Sequence, residues 1–284
     1  MKFLVIFCSF LLFGACTKIT AEENDFVQKT CGLNVTKQDP ITERKNYTFF
    51  VAVYFRTHFM HRGEPTPYTY TMPGVIISPK HIAIQKYCES NHRQLLKFDF
   101  DFILIDKKFD AARKFVDPFS KITILFGCSN ANHVKMMILT LKKPLQLNKD
   151  VGLACLSNST KNWLGIYDQL VFGADVSGFM TYKDYFPVAC AGDTPLVCGR
   201  AAFFEDGICN KDTGGCSFAE VNKRMTLLGI FVSGTIDCAF SSAGITRSVF
   251  LNVARYTEEI CNATGVCINL DSTKLVTTTS GSKE

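Results

Sequence analysis

The chain has 284 residues, of which 47% are hydrophobic and 20% charged, and its formal net charge is +5. This composition is that of a globular protein with a sizeable core, and the length fits one large all-β domain or two modest domains. The basic residues are scattered, which argues against nucleic-acid binding, and no apolar run of membrane-spanning length follows the N-terminus, which excludes a polytopic membrane protein.

The N-terminus predicts a secretory signal peptide. Lys2 precedes an apolar stretch over residues 3–13, and small residues follow up to Cys16. The stretch is too short to span a bilayer, so we assign residues 1–21 to a cleaved leader. Cleavage after Cys16 and cleavage after Ala21 both fit the sequence. We therefore expect a secreted, extracellular protein with no membrane span after signal cleavage.

Sequons and cysteines agree with secretion. Four sequons predict N-linked glycosylation, at Asn34, Asn46, Asn158 and Asn262. The chain has 13 cysteines, of which Cys8 and Cys16 lie in the leader, and the others predict a disulfide framework. Eleven cysteines remain outside the leader, and because this number is odd, at least one thiol has no disulfide partner within the chain. Because no CxxC pair occurs and the histidines are dispersed, we predict no metal site and no cofactor.

Segments rich in aromatic and β-branched residues predict many short strands. In chain order these are residues 47–55, 68–77, 98–105, 122–126, 136–141, 170–176 and 227–232. Apolar and polar side chains alternate within residues 98–105, which is the period of a half-buried strand. Residues 61–67 are rich in Gly and Pro and predict a break. Repeated short strands with turn signals favour an all-β barrel or sandwich.

The end of the chain predicts one helix and a tail. Apolar and small residues recur at helical spacing at Phe250, Val253, Ala254, Thr257 and Ile260. Residues 269–284 are polar and rich in Ser and Thr, so we expect a disordered tail there.

Five segments carry motifs in a fixed order. Residues 76–88 end in Tyr-Cys, residues 135–145 form an apolar strand that begins with Lys, and residues 209–216 read Cys-Asn-Lys-Asp-Thr-Gly-Gly-Cys. Residues 151–156 and 228–238 each contribute a further Cys. Taken in chain order, these five segments resemble those of the secreted trypsin-like serine proteases, in the branch of that family that is expanded in nematodes. In that family the first three segments carry the catalytic His, Asp and Ser.

The resemblance implies a fold over residues 22–268. It predicts a chymotrypsin-like double β-barrel, stapled by disulfides and ending in an α-helix. By the same resemblance, the disulfides are Cys31–Cys155, Cys88–Cys128, Cys190–Cys198, Cys209–Cys238 and Cys261–Cys267. Cys128 is proposed for Cys88 because the usual partner position, near Met72, holds no cysteine. Cys216 replaces the family's proline and is the leftover thiol.

The residues at the catalytic positions are changed. Acyl transfer of this kind needs a hydroxyl nucleophile, an imidazole base and a carboxylate that orients the imidazole. The resemblance places Tyr87 at the imidazole position, Lys135 at the carboxylate position and Thr213 at the nucleophile position. A phenol is a poor base at neutral pH, and a lysine supplies a cation where an anion is required.

These substitutions predict an inactive protease homologue. We expect it to bind an unknown extracellular protein, and we expect no catalytic residues in this chain. Two alternatives stay open. One is an active or weakly active endopeptidase that uses the Thr213 hydroxyl, and the other is a binder of a small ligand in the vacated cleft.

Overall fold

The structure, a computed structural model, describes fourteen stretches of the chain. These are residues 18–33, 37–38, 45–46, 48–61, 64–87, 99–104, 119–125, 134–149, 151–158, 169–174, 180–190, 196–201, 215–233 and 248–268. The helices are α1 (Ala21–Thr30) and α2 (Thr257–Thr264), and a single 3-10 turn spans Val253–Tyr256. The predicted tail at 269–284 lies outside the described residues.

Fifteen strands lie in these stretches. They are β1 (Lys37–Gln38), β2 (Lys45–Asn46), β3 (Phe50–His61), β4 (Glu64–Ser78), β5 (His81–Tyr87), β6 (Asp99–Leu104), β7 (Phe119–Leu125), β8 (Val134–Leu141), β9 (Cys155–Leu156), β10 (Gln169–Ala174), β11 (Met180–Val188), β12 (Leu196–Ala201), β13 (Cys216–Val221), β14 (Arg224–Ser233) and β15 (Ser248–Asn252).

Apart from the β1–β2 pair, the strands form two sheets. The N-terminal sheet has the order β6-β3-β4-β5-β8-β7, and the C-terminal sheet has the order β13-β10-β11-β12-β15-β14-β9. If the first six strands of each sheet are numbered in chain order, both orders read 4-1-2-3-6-5. In the C-terminal sheet β13 also pairs with β14, so the pairings of these six strands form a circuit. In the described residues no pairing joins β6 to β7.

The expectation of an all-β double barrel is therefore met in its coarser form. The protein is mostly β, with two sheets, a C-terminal helix and three disulfides in the described residues. A second helix, α1, precedes the sheets. Closure of both sheets into barrels is not seen in the stretches that the structure describes.

A shared core joins the two sheets. Phe49 and Phe50, at the start of the N-terminal sheet, have ring centroids 5.0 and 5.1 Å from that of Phe218 in the C-terminal sheet. The three side chains are almost fully buried, and full burial of such a side chain contributes roughly 1.5–3 kcal/mol. Backbone bonds also cross here, because the Ala154 amide donates to the Ile76 carbonyl at 3.0 Å. The core thus lies between the sheets.

Every predicted strand overlaps an observed one, but the predicted break at 61–67 is wrong. β3 ends at His61 and β4 begins at Glu64, so most of the segment is strand. Pro65 and Pro67 pair with β3, and the pairing of β4 with β5 begins only at Gly74. Among the described residues, β4 therefore has a partner strand on only one side at the prolines, and a residue without an N–H is tolerated at such an edge.

The predicted late helix is partly wrong. Phe250 lies in β15, between Val197 of β12 and Phe231 of β14, and α2 begins only at Thr257. Pairing on both sides holds Phe250 as a strand residue, because tertiary contacts override a local helical spacing.

Candidate functional site

Two of the residues that the sequence analysis assigns to catalytic positions lie on neighbouring strands. Tyr87 is the last residue of β5 and is paired with Val134 of β8, whereas Lys135 is paired with Lys86. The two residues are thus offset by one position along the β5–β8 ladder. Thr213, the third position, lies outside the described residues.

A hydroxyl–imidazole pair occurs elsewhere, where β4 meets β5. The Ser78 hydroxyl oxygen lies 2.8 Å from Nδ1 of His81, and Lys80 donates its backbone N–H to the same oxygen at 3.1 Å. This arrangement is the first element of an activated nucleophile. Both side chains are, however, completely buried at the turn between the two strands, so no substrate carbonyl can reach the hydroxyl. The pair therefore stabilises the turn.

Gln85 is a polar residue that the sequence analysis missed. It lies on β5 two residues before Tyr87 and is fully buried. In the part of the chain that the structure describes, neither its amide nitrogen nor its amide oxygen has a hydrogen-bond partner. An unsatisfied buried polar group costs about 1–3 kcal/mol, which the surrounding core must offset. Nothing in the apolar sequence around Gln85 indicates that its amide is buried without a hydrogen-bond partner.

Three of the five expected disulfides are present in the structure. Cys31–Cys155, Cys190–Cys198 and Cys261–Cys267 have Cα atoms 4.9, 5.3 and 4.5 Å apart. The other two expected pairs, Cys88–Cys128 and Cys209–Cys238, lie outside the described residues. Cys216 is a completely buried thiol, and this burial raises its pKa far above the ordinary range, so it stays protonated.

Two of the sequon asparagines have described environments. Asn158 and Asn262 are exposed. The Thr264 that completes the second sequon is buried, and its hydroxyl donates to the Ile260 carbonyl at 2.6 Å. Thr264 therefore has a structural role in α2 that does not depend on glycosylation of Asn262. Asn46 lies in β2, and Asn34 lies outside the described residues.

Two features of the described residues bear on ligands and membranes. No group of three or more His, Cys, Asp or Glu side chains in these residues is arranged to hold a metal ion. Neither described helix is long and apolar enough to cross a membrane.

The order of strands, disulfides and motifs defines a trypsin-like class of protein. Residues 1–97 and 92–267 match the family described as nematode trypsin-6-like, and the chain belongs to this family. The family resemblance drawn from the sequence is thereby confirmed over nearly the whole chain. No curated protein matches the sequence.

Proposed function

We propose that this protein is a secreted, catalytically inactive trypsin homologue that binds an extracellular protein. The observation that carries the proposal is the replacement of the triad by Tyr87, Lys135 and Thr213. General-base catalysis requires groups within hydrogen-bond reach of one another, and a phenol and an ammonium are unsuited to the two roles.

We further propose a double β-barrel over residues 22–268 as the scaffold for binding. The shared strand order of the two sheets supports it, as does the circuit of pairings in the C-terminal sheet. A fold does not fix a function, so the scaffold can be retained after its chemistry is lost. The signal peptide and the N-linked glycans belong to the same proposal.

Activity assays test the inactive state directly. The secreted protein is incubated with a mixed peptide library and with a fluorophosphonate probe, beside an active trypsin-like protease and a Thr213→Ala variant. We expect neither hydrolysis nor labelling above the variant. If the wild type is labelled and Thr213→Ala is not, the protein is an endopeptidase that uses Thr213.

A restored triad gives a second test. We expect Tyr87→His, Lys135→Asp and Thr213→Ser together to yield at most feeble activity. Lys211 stands where the family has a Gly that contributes an oxyanion-hole amide, and losing one such donor costs roughly 100- to 1,000-fold in rate. Turnover comparable to that of the control protease would show that the three substitutions alone account for inactivity.

Binding is tested by capture. The glycosylated protein is immobilised and exposed to extracellular fluid, with a reduced and unfolded sample of the same chain as the control. A protein retained only by the folded sample, and bound again when purified, supports the proposal. Retention of small molecules alone would favour the cleft-binding alternative.

A further inference from the structure

The residues just before α1 are built into the folded domain. The backbone N–H of Ile19 donates to the carbonyl of Thr264 at 2.8 Å, and the Ile19 side chain is only 6% exposed. Ile19 belongs to the same buried cluster as the cores of the two sheets. It therefore acts as an anchor between the start of the chain and the end of α2.

Gly265 shows how closely the anchor is packed. It ends α2 with a φ of +80°, a conformation that glycine adopts without strain. A Cβ added at this position would lie 2.4 Å from the Ile19 carbonyl oxygen and 3.1 Å from the Ile19 nitrogen. The two backbones thus touch at a point where only glycine fits.

Thr20 begins α1 as its N-cap. Its hydroxyl accepts from the Glu23 N–H at 3.1 Å, and the Glu23 carboxylate accepts from the Thr20 N–H at 2.7 Å. Both bonds of a capping box are therefore present. The box satisfies N–H groups that would otherwise have no partner within the helix.

The first turn of α1 is also fixed to the C-terminal segment. The Asn24 side chain donates to the carbonyl of Cys267 at 2.9 Å and accepts from the N–H of Cys267 at 2.9 Å. Cys267 is itself held by its disulfide to Cys261. The position of Asn24 depends on the helix that Thr20 starts.

We propose that signal peptidase cuts this chain before Ile19, at the bond after Cys16, so that the mature protein keeps Ile19 and Thr20. The proposal rests on the proposed secretion. It resolves the choice between Cys16 and Ala21, which the sequence leaves open. A cut after Ala21 would remove the anchor and the cap together, and would leave a new α-ammonium at the positive end of the helix dipole, where a cation is unfavourable.

The direct test is the N-terminus of the secreted protein. The full chain is expressed in a eukaryotic secretory cell, collected from the medium, deglycosylated, and analysed by N-terminal sequencing and intact mass. We expect a first residue of Thr17. If the first residue of the secreted protein lies after Ile19, the proposal is overturned while secretion still holds. Retention of an uncleaved chain inside the cell would overturn secretion as well, and neither result bears on catalysis.

A stability comparison tests the physical reason. Chains starting at Thr17 and at Glu22 are secreted behind the same unrelated leader. We expect the shorter chain to melt lower by on the order of 10 °C. In the longer chain, Ile19→Ala should lower the melting temperature by roughly 5–10 °C. The matched control is Leu33→Ala, at a side chain that is 52% exposed, for which we expect a change within about 2 °C. Equal melting of the two chains would overturn the role given to the anchor.

Discussion

The disulfide between Cys31 and Cys155 offers the sharpest prediction about stability. It joins the end of α1 to β9 across 124 residues, whereas Cys190–Cys198 closes a loop of only 8. A crosslink restricts the unfolded chain more when its loop is longer, and the loop-entropy relation gives about 5 kcal/mol for the first bond and about 2.5 kcal/mol for the second. We therefore expect Cys31→Ala/Cys155→Ala to destabilise the protein about twice as much as Cys190→Ala/Cys198→Ala.

Local packing supports the same ranking. Gly32, next to Cys31, has a φ of +68°, and its N–H donates to the Leu153 carbonyl at 2.7 Å. The Met225 N–H donates to the Gly32 carbonyl at 3.2 Å. Without the neighbouring crosslink, this segment is held by non-covalent contacts only. By contrast, Cys190 and Cys198 flank a short connection between consecutive, paired strands.

Urea unfolding followed by tryptophan fluorescence and by circular dichroism measures both effects. The wild type and the two double-alanine variants are compared at equal glycosylation, and intact mass confirms that the remaining disulfides have formed. The change in the unfolding free energy is read from the midpoints, with the slope checked for altered compactness of the unfolded state. If loss of Cys190–Cys198 costs as much as loss of Cys31–Cys155, loop closure does not govern the stabilisation, and the predicted ranking of the two bonds is refuted.

Three further predictions concern single side chains. The Thr20 N–H and the Lys80 ammonium hold the pKa of Glu23 below 4.5, so Glu23→Gln should cost about 0.5–1 kcal/mol at pH 7. Because a lowered pKa stabilises the fold above the unfolded pKa, that cost should fade in urea titrations as pH drops below 4.5. Gln85→Leu should raise the free energy of unfolding by about 1 kcal/mol, whereas the same change at the exposed Gln146 should not. Peptide mapping should find Cys216 alkylated by iodoacetamide only after unfolding, and native labelling would contradict its burial.

Local sequence patterns located seven of the fifteen strands, and β11, β12 and β13 are among those without a predicted counterpart. Aromatic and β-branched residues cluster where β3, β4 and β8 form, because such side chains pack on a pleated, half-buried surface. The errors occur where a partner strand or a neighbouring segment decides the structure. Phe250 has helical spacing but is paired on both sides, and the N-cap of α1, Thr20, lies inside the residues assigned to the leader.

The order of motifs gives the residues of the candidate site as a prediction, whereas the spatial relation of those residues has no sequence signal. The order of motifs placed Tyr87 and Lys135 on strands that the structure brings side by side. Their register depends on pairing between strands that lie far apart in the chain, and it has no local signature. The sequence also did not predict the unsatisfied amide of Gln85, because the residues next to it in the chain do not show which side chains surround it in the fold.

The residues that hold this fold together differ from those that the family uses for catalysis. The shared core at Phe49 and Phe218, the Cys31–Cys155 bond and the anchor at Ile19 involve none of the three triad positions. Substitutions at the triad therefore leave the main stabilising contacts in place. Under the proposed function, this separation would let the chain lose catalysis at little cost in stability and keep its disulfide-stapled scaffold for binding.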